Sequence, residues 1–264
     1  GGYASGPLLF SAQQKGIPTL IQEQNSYAGL TNKLLAKKAK AICVAYPHME
    51  QFFPKKKIHY TGNPVRKDIL SLEGKKERAC RHFNLEPGKP VLLVLGGSLG
   101  ARTINQSVLR HVAEFESRGY QILWQTGKFY FPEMSAALEK TGTKQVRVME
   151  YIREMDLAYA VADLVVSRSG ALSVSELSLV GKAVIFIPSP NVVGDHQTKN
   201  AAAYIKEEAA VLLKDEEAVE GLSEAVTSLM EDPEARNRLG KNIKKLAKPD
   251  AAKEIVSTLE KLLV

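Results

Sequence analysis

Long apolar runs are missing from this chain. None exceeds eight residues, far short of the roughly 20 that a membrane-spanning helix needs. No basic stretch followed by an apolar core opens the sequence, so a secretory signal is not expected. Cysteine is scarce: Cys43 and Cys80, 37 residues apart, are all there is. That count excludes a disulfide scaffold and gives no metal-ligand spacing, and both thiols are expected to be reduced and inert. There is no Asp-x-Asp pair and no His, Cys or carboxylate cluster at ligand spacing, so neither a metal nor a cofactor is expected. Basic residues are not interleaved with aromatics, which make up only 7% of the chain; nucleic acid is therefore not an expected partner. Arginine is absent from residues 1–63, and the only acids there are Glu23 and Glu50.

What is present is ordinary globular composition: 264 residues, 44% hydrophobic and 25% charged. Two domains of about 150 residues fit that length. The charge is unevenly placed. Residues 1–63 carry eight lysines, giving them a surplus of six out of the chain's net +7. Two readings stand: a solvated surface, or a face turned to an anionic partner such as a lipid surface or a phosphate-bearing substrate. The first residue is Gly1 rather than Met, and Gly1–Pro7 reads as a loop internal to a longer domain.

Strand-length apolar runs alternate with helix-length segments. The runs are 17–21, 41–44, 58–60, 91–95, 121–124, 146–149, 164–166, 183–187 and 210–213. Helices are predicted near 29–38, 101–117, 131–140, 154–162, 172–180, 196–208, 218–230, 232–246 and 251–264. Such alternation predicts an α/β architecture with parallel sheets, and an unbroken run such as Val91–Leu95 fits a sheet covered on both faces. Thr61-Gly62-Asn63-Pro64 breaks regular structure where the charge imbalance ends. Three domains of sequence are thus predicted: a remnant of an amino-terminal domain over 1–63, a carboxyl-terminal domain over 64–250, and a closing helix over 251–264.

Three strand-to-helix turns stand out. In Gly96-Gly97-Ser98-Leu99-Gly100-Ala101, glycines allow close approach of a phosphate to open helix amides. The spacing is neither a dinucleotide fingerprint nor a P-loop, and a plain tight turn is the alternative. In Ser167–Glu176, a small-residue turn leaves a helix start open, Ser173 can donate, and Glu176 can accept from both hydroxyls of a ribose. Otherwise Glu176 merely favours the positive helix end. The third turn, Pro188–Asn200, would place His196 and Gln197 at a helix start after a strand, where open α/β sheets bind ligands.

Together these segments resemble the MurG family of bacterial peptidoglycan glycosyltransferases. The carriers are Gly-Gly-Tyr-Ala-Ser-Gly-Pro (1–7), Glu-Gln-Asn (23–25) with Ala28–Lys33, and Gly-Asn-Pro-Val-Arg (62–66). Further along come residues 96–101, Arg168–Leu172 through Ser175-Glu176, and Asp195-His196-Gln197 with Asn200-Ala201. The resemblance runs the length of the chain. It implies the GT-B architecture, two Rossmann-like domains facing a cleft with the last helix crossing back, the amino-terminal one being incomplete here. The implied reaction moves N-acetylglucosamine from UDP-N-acetylglucosamine to lipid I (undecaprenyl-pyrophosphoryl-muramyl-pentapeptide), giving lipid II. It would invert the anomeric centre, need no metal, and take place at the cytoplasmic face of the cell membrane, on an anionic inner-membrane surface to which the protein binds peripherally.

The resemblance also implies site residues. Ala171, Leu172, Ser173, Val174, Ser175 and Glu176 would hold the donor's diphosphate and ribose, with Glu176 as the ribose acceptor. Ile152 would pair its backbone with uracil, and Tyr151, where Phe is usual, would cap the site. Ser98 would contact phosphate, Arg66 the nucleotide end, and His196 and Gln197 the sugar, with Asn25 approaching from across the cleft. Gly1, Gly2, Tyr3, Ser5 and Gly6 would belong to the acceptor side. Two departures matter. The family's Gly-Gly-Thr-Gly-Gly-His loop, with its proposed general-base His, is absent, so the chain is expected to be amino-terminally truncated and its catalytic base is unassigned. Also, the usual His-Glu-Gln-Asn reads Gln22-Glu23-Gln24-Asn25, which removes an imidazole. The rival expectations are another GT-B glycolipid transferase and a UDP-sugar-binding module without catalysis.

Overall fold

The computed structural model describes residues 4–262. Helix α1 (Ser5–Gln14) leads into a three-stranded parallel sheet of β1 (Leu20–Glu23), β2 (Ala41–Val44) and β3 (Ile58–Tyr60), in that spatial order. Helix α2 (Leu30–Ala36) joins β1 to β2. After α3 (Lys76–Phe83) comes a second parallel sheet: β4 (Val91–Leu95), β5 (Gln121–Gln125), β6 (Val146–Met149), β7 (Leu164–Ser167), β8 (Val184–Phe186) and β9 (Val211–Leu212). Its crossover helices are α4 (Arg102–Ser117), α5 (Phe131–Thr141), α6 (Met155–Val161), α7 (Ala171–Val180) and α8 (His196–Ile205). Helices α9 (Ala218–Met230), α10 (Pro233–Lys245) and α11 (Ala251–Glu260) complete the chain.

The second sheet runs β6-β5-β4-β7-β8-β9, the order of doubly wound nucleotide-binding sheets, whose chain path reverses between the first and fourth strands. Every residue of β4 and β5 is buried. The two-residue period of a strand explains how. Val91, Leu93 and Leu95 pack with Phe83, Leu157 and Leu177, while Leu92 and Val94 pack with Val108, Phe115 and Leu222 on the other face. The expected α/β class with parallel sheets is observed.

Several boundaries differ from the sequence expectation. The first strand begins at Leu20 rather than 17, since Pro18 lacks the N–H a ladder needs. Residues 5–7, read as loop, form the first turn of α1, where a proline costs no hydrogen bond. Helix α3 was not predicted: Lys76–Phe83 is mostly charged, and only Ala79, Cys80 and Phe83 are buried.

The two sheets are joined where their connecting strands of chain lie side by side. Gly62 has φ +84°, and a Cβ there would stand 2.3 Å from Cβ of Lys248. Lys248 in turn lies over Tyr60, with Nζ 3.9 Å from the ring centre. Beyond it, α11 packs against β2, bringing the Thr258 hydroxyl to the Cys43 thiol. Both cysteines are free and buried.

Candidate active site

Strands β4, β7 and β8 are neighbours in one parallel sheet. Their following turns, at 96–101, 168–170 and 188–195, therefore emerge along the same carboxyl edge, on both sides of the point where the chain path reverses. The carboxyl edge of the first sheet meets them. Asn200 of α8 is fully buried; its Oδ1 accepts from Ser26 N at 2.9 Å and its Nδ2 donates to Asn25 Oδ1 at 3.1 Å. Asn63 adds a second tie, donating to Gln24 O at 3.0 Å and to Ser175 Oγ at 3.1 Å. The turn at 168–170 and the start of α8 thus meet the carboxyl edge of the first sheet in one crevice, and the 96–101 turn lies further along the same edge of the second sheet.

Glu23 shapes the first-sheet side. It is buried, and its Oε1 accepts from Asn25 N at 3.1 Å while Oε2 accepts from Gly29 N at 2.9 Å and Asn32 Nδ2 at 2.8 Å. A single carboxylate so fixes the whole 24–29 turn. Gln22, where the family pattern has His, donates to Asn63 Oδ1 at 2.9 Å and to Gly62 O at 3.3 Å. Its amide is tied to the linker.

On the second-sheet side, Gly170 precedes α7 without a side-chain cap. The amides of Ala171, Leu172 and Ser173 then have no partner within the helix, and this is an anion-binding arrangement. The other expected residues divide. Val174 faces the core, and its N–H donates to Gly170 O, so it offers a ligand neither side chain nor amide. Ser175 Oγ is taken by Ala171 O and Asn63. Leu172 is half exposed.

Glu176 has a specific environment. Arg66 Nε donates to its Oε1 at 3.1 Å, and the Tyr159 hydroxyl donates to its Oε2 at 3.2 Å. Arg66 also meets the Tyr151 hydroxyl; burial opposes its charge, but Glu176 and Tyr151 outweigh this and raise its pKa. Sequence reasoning missed Tyr159. It is fully buried on α6, and a buried tyrosine hydroxyl calls for a partner.

Ser98 is exposed in its turn, with its carbonyl accepting from Lys128 N at 3.0 Å. The glycines around it serve packing as well as any ligand. Gly127, after β5, has φ +82°, and a Cβ there would lie 2.1 Å from Gly100 N. The two turns are stacked backbone on backbone, a constraint the sequence reading did not find. Ile152 is buried and donates its N–H to Gln125 Oε1 at 2.9 Å. Pairing of this backbone with a base would then use the carbonyl, or displace Gln125.

His196 opens α8, directly after Asp195 at φ 52°. Its Nδ1 is shielded from solvent and has no hydrogen-bond partner, and its ring stands 6.2 Å from that of Tyr27. Gln197 Oε1 accepts from Ser189 N at 2.9 Å and Gln197 O from Ser169 Oγ at 2.8 Å. Its side chain holds the turn together. Arg168 secures the same turn through Ile187 O and Pro188 O, at 2.9 and 3.0 Å, and pairs with Asp215. Of the acceptor-side residues, Gly1, Gly2 and Tyr3 lie outside the described residues. Ser5 and Gly6 begin α1; Ser5 borders a hollow of about 570 Å³ together with Gln22, Glu23, Asn25, Thr31 and His196. A hollow of about 640 Å³ lies elsewhere, among Asp163, Lys182 and Lys244 at the amino edge of the second sheet. Among the described residues no cluster of His, Cys, Asp or Glu could hold a metal ion.

Comparison with known proteins accords with this geometry. The model of the glycosyltransferase family 28 C-terminal domain matches residues 91–255, and that of the family 28 N-terminal domain matches residues 1–44. A protein of Cytophaga hutchinsonii named UDP-N-acetylglucosamine--N-acetylmuramyl-(pentapeptide) pyrophosphoryl-undecaprenol N-acetylglucosamine transferase is 52% identical over 263 residues, spanning 100% of this chain and 70% of its own. One of Parabacteroides distasonis with the same name is 50% identical, covering 100% of this chain and 72% of its own. The crystal structure of Acinetobacter baumannii MurG superposes with a TM-score of 0.79 at 31% identity, over 99% of this chain and 72% of that one. The Neisseria meningitidis UDP-GlcNAc 2-epimerase, at 17% identity and a TM-score of 0.67, shares the fold, covering 97% of this chain and 73% of its own. With half its residues shared along its whole length, this chain belongs to the MurG family of glycosyltransferases.

Proposed function

We propose that the protein transfers N-acetylglucosamine from UDP-N-acetylglucosamine to the C4 hydroxyl of the muramyl sugar on lipid I, forming lipid II. The observation that carries this reading is the shared crevice. The carboxyl edges of two parallel sheets meet there, and an open helix start and a held carboxylate lie within it. The donor would lie with its diphosphate on the α7 amides, its ribose at Glu176, its uracil at Ile152 and its sugar toward His196, Gln197 and Asn25, with Ser98 at the phosphate. The acceptor oxygen attacks the anomeric carbon from the face opposite UDP, so the centre inverts. The sugar–phosphate bond breaks with its electron pair going to UDP, and the hydroxyl proton passes to a base. That base is assigned to the family's Gly-Gly-Thr-Gly-Gly-His loop, which residues 1–264 do not contain. Preorganised amides and Arg66 would meet the charge developing on the diphosphate, and no metal ion is required.

In this reading residues 1–63 belong to the acceptor-side domain, 64–250 to the donor domain, and 251–264 to the returning helix. Among the described residues no helix is long and apolar enough to cross a membrane. Leu8, Phe10, Leu30 and Leu34 are exposed on α1 and α2, among the eight lysines of residues 1–63. Apolar contact plus cationic attraction supports peripheral binding to an anionic inner leaflet.

The test is a calorimetric titration with UDP, followed by transfer of labelled N-acetylglucosamine to a lipid I analogue. UDP binding is expected, with turnover once the part of a curated relative that precedes the matched 70% of its length is fused ahead of Gly1. Glu176→Ala should weaken UDP binding at least tenfold, since each charge-assisted hydrogen bond contributes about 1.5–3 kcal/mol. Absence of UDP binding would remove the transferase reading. Binding without turnover in the fused protein would favour a binding module, and turnover on a different lipid acceptor would reassign the substrate.

A further inference from the structure

The Glu176 carboxylate is gripped at both oxygens, by Arg66 at Oε1 and by Tyr159 at Oε2. The two donors differ in kind. Arg66 belongs to the linker after β3 and its side chain is 35% exposed, so solvent and an incoming ligand can compete for it. Tyr159 is 1% exposed and lies on α6, packed beneath the site. Burial, together with the charge of Glu176, pushes its hydroxyl well above the ordinary tyrosine range, so it stays a donor at any working pH.

A glutamate carboxylate left to itself turns freely about its last bond, and a vicinal diol needs two acceptor lone pairs in a fixed direction. Each carboxylate oxygen can accept more than one hydrogen bond, so one donor behind each oxygen fixes the plane while leaving capacity for a ligand in front. Arg66 can leave when a nucleotide enters; Tyr159 cannot. We infer that Tyr159 is a positioning residue that aims Glu176 at the ribose and thereby sets the preference for ribonucleoside over 2′-deoxyribonucleoside diphosphates. This rests on Glu176 as the ribose acceptor. Helix α6 begins three residues beyond Ile152, so one short stretch of chain carries both the base-side segment and the hydroxyl that orients the ribose acceptor.

The experiment measures dissociation constants for UDP and 2′-deoxy-UDP by calorimetry, on the wild-type chain and on Tyr159→Phe. The wild type should prefer UDP. In the variant that preference should fall about tenfold or more, the worth of one hydrogen bond to a charged group, while 2′-deoxy-UDP affinity stays nearly constant. An equal loss for both ligands would mean that Tyr159 only supports the fold, and would overturn the inference, as would an unchanged preference. A wild type that binds both ligands alike would instead remove Glu176 as ribose acceptor, and the inference with it. If Tyr159→Phe fails to fold because the carboxylate lacks a donor, Glu176→Gln is compared with Glu176→Gln/Tyr159→Phe. A further fall in preference in the double variant supports the inference; no change overturns it.

Discussion

Removing the side chain of Asn200 tests the junction on which the crevice depends. Asn200 is fully buried and bonds in three directions: from Ser26 N at 2.9 Å, to Asn25 Oδ1 at 3.1 Å and to Ser169 O at 3.3 Å. In Asn200→Ala these bonds vanish, and the Ser26 N–H and Asn25 Oδ1 lose this partner. A net hydrogen bond contributes about 1 kcal/mol and an orphaned buried group costs about 1–3 kcal/mol, so a loss of about 3–5 kcal/mol is expected. Urea unfolding followed by circular dichroism measures it, and hydrogen exchange at Ser26 should rise in parallel. Asn200→Asp sharpens the argument. One carboxylate oxygen can still accept from Ser26, but the other faces the carbonyl of Ser169, which offers only lone pairs. The new carboxyl would therefore be held above its unfolded pKa. Its stabilisation is present below the unfolded value and lost as pH rises through the folded one, so this variant should be more stable at about pH 4 than at about pH 7, relative to wild type. If Asn200→Ala lowers stability by less than about 1 kcal/mol, the two sheet edges are not joined through this residue and the crevice has been misread.

Gly127→Ala would drive a Cβ to 2.1 Å from Gly100 N and 2.3 Å from Gly100 Cα, parting the two stacked turns. Left-handed strain plus displacement should cost about 2–4 kcal/mol, read as a lower melting temperature, and UDP binding should weaken as Ser98 moves. Gly119→Ala, also left-handed but with open space around it, is the control; equal losses would refute the stacking argument. Asp156 on α6 pairs with Lys75 at 2.8 Å; burial opposes its charge, but the Lys75 ammonium and the Leu157 amide hold its pKa below the ordinary value. Its stabilisation is present above the unfolded pKa and lost as pH falls through the folded one, so Asp156→Asn should cost about 1 kcal/mol near neutrality and nothing in acid. Urea midpoints across that range check it, and a gap that persists in acid would contradict the sign.

The strands of the second sheet were legible because a parallel sheet covered on both faces demands unbroken apolar runs. Val91–Leu95 and Val146–Met149 fall where the runs predicted. Helix α3 was missed although Ala79, Cys80 and Phe83 sit at helical spacing on one face, because the segment is short and its apolar face is only three residues wide among charges. Site residues divided along the same physical line. Helix starts after strands are local features, and the turns before α4, α7 and α8 could be found from short spans of sequence. Pairing between distant buried polar groups has no local signature. Asn25 and Asn200 are 175 positions apart, and Tyr159 lies in the apolar stretch Leu157–Val161 of α6, where it reads as core. The one hydroxyl in that buried stretch was the available signal, because such a hydroxyl must find an acceptor.

The Glu-Gln-Asn segment that made the family resemblance visible is, in this fold, mainly an architectural device. Gln22 bonds to the linker, Glu23 fixes the turn behind it, and Asn25 reaches across to Asn200. The Gln22 amide and the Glu23 carboxylate are committed to the linker and the turn and have little left to offer a reacting group. In the proposed function, binding falls to groups that the fold leaves open: the first amides of α7, the outward lone pairs of Glu176, and His196 Nδ1, shielded and without a hydrogen-bond partner. All of these open groups belong to the second sheet. The first sheet, by contrast, contributes shape and positive charge, which is what an acceptor carrying a pyrophosphate at a membrane surface would require of it. The proposed function therefore divides the labour: a donor site preorganised on one side, and an acceptor side that supplies docking.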